Sequence, residues 1–290
     1  VLLGSEFRPR LMAEFMGTLL LVALITGAAT ALLSAEARRL AILDNAPVMR
    51  DPFTENLFSN SSADLMTVAL TALVVLAIIF PAFARVSGGH FNPAVTFALA
   101  VTRRFNWIEV GPYVVAQCLG GIAGAFLVAA MYGQDGASIG SIDVLFGAPT
   151  LAGGVSQWQA VAAEATACLV VMLAVVATQF RGSSKDAPPW GGIVVGLAYT
   201  GAILVAGPLT GGSANPARSL GPFVASLPFD VDSIPWNDLV VYLAAPLAGA
   251  IIAALGLDAV TGRKRPRREP IRDPDEGPEP YFVVGTTDGE

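Results

Sequence analysis

Residues 87–96 read SGGHFNPAVT and residues 210–219 read TGGSANPARS, so the tripeptide Asn-Pro-Ala occurs twice, each time in glycine-rich sequence. Asparagine is a preferred N-cap residue and proline a preferred first helical residue, so each copy predicts the start of a helix. Apolar residues surround both copies. Because a helix N-terminus carries about half a unit of positive charge, two such starts inside a bilayer are costly unless they face a water-filled path.

The composition indicates a membrane protein. Of the 290 residues, 54% are hydrophobic and 14% are charged, and the mean hydropathy is +0.62, whereas about 25% of residues are charged in a soluble domain. The single histidine leaves no room for a His-based metal cluster or a Ser-His-Asp site, and the two cysteines, Cys118 and Cys168, lie in apolar stretches. The chain lacks the basic face with interleaved aromatic residues that nucleic-acid binding requires, so no nucleic-acid partner is expected.

Six stretches have the roughly 20 mostly apolar residues that a membrane-spanning helix needs. They are predicted at 10–33, 63–84, 107–132, 158–180, 188–208 and 237–260. Two shorter apolar stretches, 92–101 and 215–226, follow the Asn-Pro-Ala copies. A helix of about ten residues is about 15 Å long, which is half of a hydrocarbon core of about 30 Å. The sequence therefore predicts an all-α membrane protein with six transmembrane helices and two re-entrant half-helices.

The chain also contains an internal repeat. Ala-Glu pairs open the first and the fourth span, with Glu14 lying 78 positions before Asn92 and Glu164 lying 51 positions before Asn215. The difference fits a long polar loop at 33–63. Because each half holds three spans and a half-helix, the second half is inverted relative to the first. The two repeats are placed at about 10–132 and 158–260.

Glu14 and Glu164 are equivalent carboxylates in this repeat. A carboxylate inside lipid costs about a few kcal/mol unless it is paired. We therefore predict that each accepts hydrogen bonds from one re-entrant loop and braces it. The alternative is that each carboxylate lies at a helix end near water.

The basic residues predict the orientation of the chain. Of the 17, 13 fall on the side that both termini share, and lysine and arginine are enriched in cytoplasmic loops. Both termini are therefore predicted to be cytoplasmic, and the plasma membrane is the expected location. No cleavable signal peptide is expected, because the first apolar stretch is too long for one.

Two tails are predicted to flank a channel domain at 10–260. Residues 1–9 are interpreted as an N-terminal tail left over from cloning. Residues 261–290 are rich in charge and proline, which predicts a disordered cytoplasmic tail. The basic run at 263–268 predicts an anchor at the lipid surface, with a regulatory docking motif as the alternative.

These residues are similar to those of the aquaporins, also called the major intrinsic proteins. The resemblance covers about 10–260 and rests on the two Asn-Pro-Ala copies, with Arg218 directly after the second. AEFMGT at 13–18, SGGH at 87–90 and residues 211–222 match as well. The resemblance implies a homotetramer in a lipid bilayer with one pore per subunit, and it implies no enzyme activity, no cofactor and no metal.

In that architecture the re-entrant loops place Asn92 and Asn215 side by side at the pore centre. Each side-chain amide can donate a hydrogen bond to a passing water. The neighbouring waters are then turned in opposite directions, so a proton cannot be relayed through this point, and the two half-helix dipoles add a barrier to cations. The pore motifs are Asn92, Pro93, Ala94, Asn215, Pro216 and Ala217. Backbone carbonyls along the pore are expected at Gly88, Gly89, His90, Phe91, Gly211, Ser213 and Ala214.

His90 has two interpretations. The resemblance implies that it braces the first re-entrant loop. A lone histidine equally fits a pH-dependent gate, because its charge changes near neutral pH.

Arg218 is the strongest candidate for a single functional residue, because a charged side chain inside the membrane is costly and usually functional. The family uses this position at a narrow constriction, and the other constriction positions follow by counting along the sequence. The constriction is expected at Ala72, Ile203, Gly212 and Arg218. One gap would replace Ala72 by Thr71 or Leu73. The set Ala-Ile-Gly-Arg resembles the plant nodulin-like branch, which implies a wide, partly apolar opening for water, glycerol, urea or metalloid acids such as boric acid.

Other residues favour a strict water channel. Ser219 and Tyr242 are similar to the residues of water channels, whereas Leu243 is similar to that of glycerol channels. A third interpretation is a membrane junction or scaffold protein with a vestigial pore. Gly212 stands where the family often has a mercury-sensitive cysteine, so block by mercurials at this constriction is not expected.

Overall fold

The computed structural model describes residues 7–45, 61–179, 188 and 190–263. Within these residues, six helices are long and apolar enough to cross a membrane, and two further helices are about half as long. In chain order the eight helices are α1 (Phe7–Asn45), α2 (Ser61–Ile79), α3 (Pro93–Val101), α4 (Trp107–Tyr132), α5 (Gln157–Gln179), α6 (Gly191–Thr210), α7 (Pro216–Ser226) and α8 (Trp236–Thr261).

Shorter elements complete the described chain. A π-helical turn, Phe80–Ala84, and a helical turn, Arg85–Ser87, extend α2. After α4 come a helical turn, Gln134–Ala137, a hairpin of β1 (Ser138–Ile139) and β2 (Ile142–Asp143), and a 3₁₀ turn, Leu145–Gly147. The two strands are antiparallel, with Ser138 opposite Asp143.

The predicted fold class is confirmed, but α1 is longer at both ends than the span predicted for it. Phe7 is buried and Pro9 lies in the first turn of α1, where a missing N–H group and a fixed φ angle are tolerated. Residues 7–9 therefore belong to the helix and not to a tail. At the other end α1 continues to Asn45, because the sequence after position 33 is rich in strong helix formers. The rest of the predicted polar loop, at 46–60, lies outside the described residues.

Pro81 explains the π-helical turn that follows α2. Proline has no N–H group to donate, and its ring collides with the carbonyl of the residue four positions earlier in an α-helix, here Ala77. The helix widens over Phe80–Ala84 and ends at Gly88, whose φ angle of 95° is left-handed. This local distortion brings the chain from α2 into the first re-entrant loop.

The helices pack as two inverted halves. α1 packs along α4 in the first half as α5 packs along α8 in the second, and α2 and α6 lie against each other between the halves. The half-helices are exchanged, because α3 packs on α8 and α7 packs on α4. The predicted inverted repeat thus appears as matching helix contacts.

Glycines let the paired helices approach closely. A Cβ atom built on Gly120 of α4 would lie 2.3 Å from the carbonyl oxygen of Phe15 in α1. The equivalent contact in the second half is between Gly249 of α8 and Ala165 of α5, at 1.9 Å. Small residues at helix interfaces are typical of membrane bundles, where close backbone packing drives helix association.

Polar contacts show which helix ends share a side of the bundle. Arg10 near the start of α1 binds Glu109 near the start of α4, with Nη2 2.6 Å from Oε2. Arg104, just before α4, binds Asp258 near the end of α8, with Nη2 2.5 Å from Oδ1. We name this side, where α1 begins and α8 ends, the terminal side, and the opposite side the outer side. The predicted tail from position 264 onwards, and most of its basic run, lie outside the described residues.

Candidate pore and its constriction

The two Asn-Pro-Ala copies begin α3 and α7 with the same capping geometry. Asn92 and Asn215 both have extended backbone, with φ angles of −156° and −152°. The Oδ1 atom of Asn92 accepts a hydrogen bond from the N–H of Ala94 at 2.9 Å, and that of Asn215 accepts one from Ala217 at 3.0 Å. A proline follows each asparagine as the first helical residue, which is the arrangement the tripeptide predicts.

The two caps are also bonded to each other's loop. Asn92 Nδ2 donates to the carbonyl oxygen of Ala214 at 2.8 Å, and Asn215 Nδ2 donates to that of Phe91 at 2.9 Å. The N-termini of the half-helices therefore meet inside the bundle. Because an amide nitrogen carries two hydrogens, each asparagine keeps one N–H beyond this cross-bond.

Glu14 and Glu164 hold the loops that lead to these caps. Glu14 accepts hydrogen bonds from the N–H groups of His90 and Phe91, at 3.0 and 2.7 Å. Glu164 accepts them from Ser213 at 2.9 Å and from Ala214, the residue just before Asn215, at 2.7 Å. Both carboxylates are fully buried. These are the contacts that a bracing role requires, and they differ from those of a carboxylate at a wet helix end.

The residue directly before each capping asparagine has a left-handed backbone conformation. Phe91 has a φ angle of 49° and Ala214 one of 51°, which is uncommon for residues other than glycine. At both positions the N–H group points to a glutamate and the carbonyl to the opposite asparagine. The strain is therefore held by two hydrogen bonds at each position, as expected where a site over-determines its backbone.

Two tyrosines, which the sequence analysis did not place, fix the loops from outside. Tyr113 of α4 donates to the carbonyl of Ser87 at 2.8 Å, and Tyr242 of α8 donates to that of Thr210 at 2.7 Å. Both accepting residues lie five positions before a capping asparagine. An alignment of the two repeats beyond their glutamates would have paired these tyrosines and indicated a shared role.

Some of the carbonyls predicted to line the pore are already used within the protein. Phe91 and Ala214 accept from the asparagines, and Ser213 accepts from the hydroxyl of Tyr199. A carbonyl oxygen has two lone pairs, so each of these retains capacity for one further donor.

His90 is buried in an aromatic cluster. Its Nδ1 atom lies 3.0 Å from Thr96 Oγ1, and its ring centroid lies 4.7 Å from that of Phe105 and 5.1 Å from that of Tyr113. Gln117 donates to Thr96 Oγ1 at 2.9 Å and also to Glu14 at 2.7 Å. These contacts favour the bracing interpretation of His90 over the gate.

Arg218, in the first turn of α7, is the buried charge of the outer half. Arg218 is 2% exposed. Its Nε and Nη1 atoms have no hydrogen-bond partner among the described residues. A buried polar group without a partner is rare in native proteins and calls for a functional explanation. Two nitrogens of the guanidinium are therefore left without an acceptor from the described residues.

The other predicted constriction residues, Ala72, Ile203 and Gly212, lie on α2, on α6 and in the second re-entrant loop. A Cβ atom built on Gly212 would lie 2.9 Å from Cα of Ile203, so these two residues are adjacent. Ala72 is fully buried and lies one helical turn from Leu76, which lines a cavity on the terminal side. Leu73 instead packs against Gly196 of α6.

The cavity occupies the half of the bundle between the asparagines and the terminal side. Asn92, Asn215, His90 and Tyr199 are its polar lining residues, and the remainder are apolar. Leu21, Leu76, Phe80, Phe91, Val95, Val171, Val175 and Val195 form that apolar lining. A small cavity that is mostly apolar and has a few convergent polar groups has the lining expected of a small-molecule site.

These features define a membrane channel of the inverted-repeat type. They are the six long apolar helices, the two half-helices that meet at their capping asparagines, and the buried arginine on one side. The family model described as major intrinsic protein matches residues 3–256. The chain therefore belongs to the major intrinsic protein family and is a multi-pass membrane protein.

Relatives and one solved structure agree with this assignment. The chain is 31% identical over 254 residues to aquaporin AqpM of Methanothermobacter marburgensis, covering 87% of this chain and 97% of the relative. It is 32% identical over 213 residues to probable aquaporin NIP7-1 of Arabidopsis thaliana, covering 73% and 71%. Its fold is similar to that of the aquaglyceroporin from Plasmodium falciparum, with a TM-score of 0.69, 20% identity, and coverage of 88% of this chain and 97% of that one.

Proposed function

We propose that this protein is a passive channel for water and small uncharged solutes, such as glycerol, urea or boric acid, and that it excludes protons and ions. The observation that carries the proposal is the meeting of Asn92 and Asn215, each with one amide hydrogen beyond its cross-bond. Relatives named as aquaporins support it.

The asparagines give the channel its proton barrier. A water oxygen that accepts from both amides turns its own hydrogens away, one toward each mouth. The waters on either side then point in opposite directions, so no continuous chain of donors runs through the pore. The positive ends of α3 and α7 lie at the same point and raise the free energy of any cation there.

The outer constriction sets which solutes enter. Arg218 supplies donors to a hydroxyl or carbonyl oxygen and repels cations, whereas Ala72, Ile203 and Gly212 add little bulk and no polar side chain. A solute with a polar edge and an apolar edge fits such an opening. Glycerol, which has hydroxyl groups along one edge and C–H groups along the other, is a solute of this kind, and urea and undissociated boric acid are small enough and uncharged.

Stopped-flow light scattering on proteoliposomes tests the proposal. Vesicles that contain the protein are expected to shrink and reswell faster than empty vesicles in gradients of glycerol, urea or boric acid, and to conduct water without a proton leak. Water flux without any solute flux would contradict the solute part of the proposal. Equal water flux with and without the protein would contradict the channel itself.

A strict water channel is the second candidate, favoured by Ser219. Ser219 is fully buried, and its hydroxyl is hydrogen-bonded to that of Ser213. A neutral side chain therefore stands directly after Arg218, where glycerol channels typically carry an aspartate. The same vesicles decide between the candidates, because glycerol uptake above that of empty vesicles excludes the second.

We also propose that both termini are cytoplasmic, that four copies assemble with one pore each, and that the protein lies in the plasma membrane. The bias of basic residues toward the terminal side supports the orientation. The tetramer rests on the family, and chemical cross-linking of the protein in its native membrane tests it.

A further inference from the structure

The predicted outer constriction has a counterpart on the terminal side, which follows from the inverted repeat. Asn92 and Asn215 are 123 positions apart. Adding or subtracting this offset relates each residue around one re-entrant loop to a residue around the other. The pairs related in this way are Ala72 and Val195, Phe80 and Ile203, Gly89 and Gly212, and Val95 and Arg218.

The packing of the loops supports the register of this offset. A Cβ atom built on Gly89 would lie 3.2 Å from the ring of Phe80 and 2.7 Å from Cβ of Ala84. One built on Gly212 would lie 2.9 Å from Cα of Ile203. Each glycine therefore lies beside the residue that the offset assigns to it, Phe80 for Gly89 and Ile203 for Gly212.

The cavity provides an independent observation. Phe80, Val95 and Val195, the counterparts that carry side chains, all line the cavity on the terminal side of the asparagines. The three residues come from three different elements, namely the π-helical turn, α3 and α6. They converge on one path although they are far apart in the sequence.

The two sets differ in chemistry. The outer set holds an arginine with free donors and only small or aliphatic side chains. The terminal-side set has no polar side chain, and Phe80 is its largest member. The Phe80 ring is 3% exposed and packs edge-on against Phe91, with centroids 5.5 Å apart and planes at 86°.

We propose that Phe80, with Val95 and Val195, forms a second, apolar constriction that sets the size limit for solutes after the outer constriction has admitted them. The proposal deepens the proposed function and rests on it. A solute that passes this ring loses hydrogen bonds to water that no side chain of the ring replaces. Water loses few such bonds, because it continues in single file between the asparagines and the terminal side. Larger solutes with several hydroxyl groups are therefore held back at Phe80.

The π-helical turn gives Phe80 its position. π-Helical turns occur often at functional sites, because they re-aim side chains within an otherwise regular helix. Pro81 produces the turn one residue after Phe80. The sequence thus carries a local device that places the largest side chain of this set against the path.

The test compares Phe80→Ala and Phe80→Leu with Phe83→Ala. Phe83 lies in the same turn and packs against the core, but it does not line the cavity. Phe80→Leu keeps much of the core volume, so it serves if the alanine variant fails to fold. The ratio of glycerol to water permeability is measured in proteoliposomes for each variant and for the wild type.

The ratio is expected to rise by about tenfold in Phe80→Ala, the low end of what one methylene contributes to selectivity in an apolar site. Phe80→Leu should raise it less, Phe80→Trp should lower it, and Phe83→Ala should leave it unchanged. A ratio that moves no more in the Phe80 variants than in Phe83→Ala overturns the proposal. If the wild type conducts water but no glycerol, the proposed solute function fails. In that case, glycerol entry through the Phe80→Ala variant would still support the second constriction. Exclusion of glycerol by that variant as well would overturn it.

Discussion

Two buried glutamates organise the re-entrant loops at the scale of single residues. Each accepts two consecutive backbone N–H groups just before a capping asparagine, and each loop turns through a left-handed residue held by that contact. The asparagines then cap their helices and bond across to the opposite loop. The position of the amide groups in the pore depends on this chain of hydrogen bonds.

Glu164→Gln tests the bracing role. An amide has one acceptor oxygen where the carboxylate has two, so an N–H donor would face the N–H of Ser213 or Ala214. We expect a loss of about 1–3 kcal/mol of stability for the unsatisfied donor, together with a fall in water permeability. Thermal unfolding of the purified protein and stopped-flow flux measure the two effects.

Glu36→Gln is the matched control, because among the described residues Glu36 pairs with Arg39 of the same helix and its side chain is 40% exposed. An exposed pair of this kind contributes about 0–1 kcal/mol. Equal unfolding temperatures for the two variants would contradict the bracing role.

The register of the constriction is tested by cysteine substitution. In a background without Cys118 and Cys168, Ala72→Cys is expected to make water flux sensitive to mercuric ion, because the predicted register assigns position 72 to the outer constriction. Leu73→Cys, which packs against Gly196, is expected to stay insensitive. The opposite pattern would show that the constriction is shifted by one residue.

At the scale of elements, close packing of inverted pairs places the half-helices. α7 of the second repeat rests on α4 of the first, and α3 rests on α8. Each half-helix is thus packed against a long helix of the other half of the chain. Glycines at the contacts of α1 with α4 and of α5 with α8 set the distances between the helices.

Gly249→Ala tests this packing. The added methyl group would lie 1.9 Å from the carbonyl oxygen of Ala165, so α5 and α8 must move apart. Overpacking of this kind costs about 1–3 kcal/mol, and we expect a lower unfolding temperature in detergent. Gly256→Ala in the same helix meets nothing within 4 Å and is expected to leave the temperature unchanged. A similar decrease for both variants would contradict the packing argument.

The sequence predicts elements well where composition alone decides them. The spans follow from apolar length, and the half-helices from Asn-Pro-Ala. The extension of α1 was missed because length counts of apolar residues ignore helix formers such as those after position 33. The partners of Tyr113 and Tyr242 were missed for a different reason: a tyrosine in an apolar helix gives no local signal of which distant carbonyl it binds.

At the scale of the whole molecule, the two inverted repeats form one channel whose outer and terminal halves differ in their side chains. The same contacts recur around both asparagines, yet the outer half carries Arg218 and the terminal half carries Val95 at the related position. The proposed selection by charge and hydrogen bonding at the outer constriction is thus separated from the proposed selection by size at Phe80. The fold supplies the symmetry, and a few substitutions supply the difference.

The orientation of the molecule is tested with a cysteine added after position 290 in the background without Cys118 and Cys168. Because the predicted topology assigns 13 of the 17 basic residues to the side of the termini, this cysteine should be cytoplasmic. An impermeant maleimide is expected to label it only after the cells are permeabilised. Labelling of intact cells would contradict the predicted orientation.

The central claim is that two half-helices meet end to end inside the membrane and turn their capping amides toward one file of water. The most direct measurement is a density map of the protein in lipid nanodiscs, at a resolution that shows ordered water. We expect the side chains of Asn92 and Asn215 to flank a water within a continuous file from mouth to mouth. A map in which the two asparagines are far apart, or face packed protein with no lumen, would contradict the account.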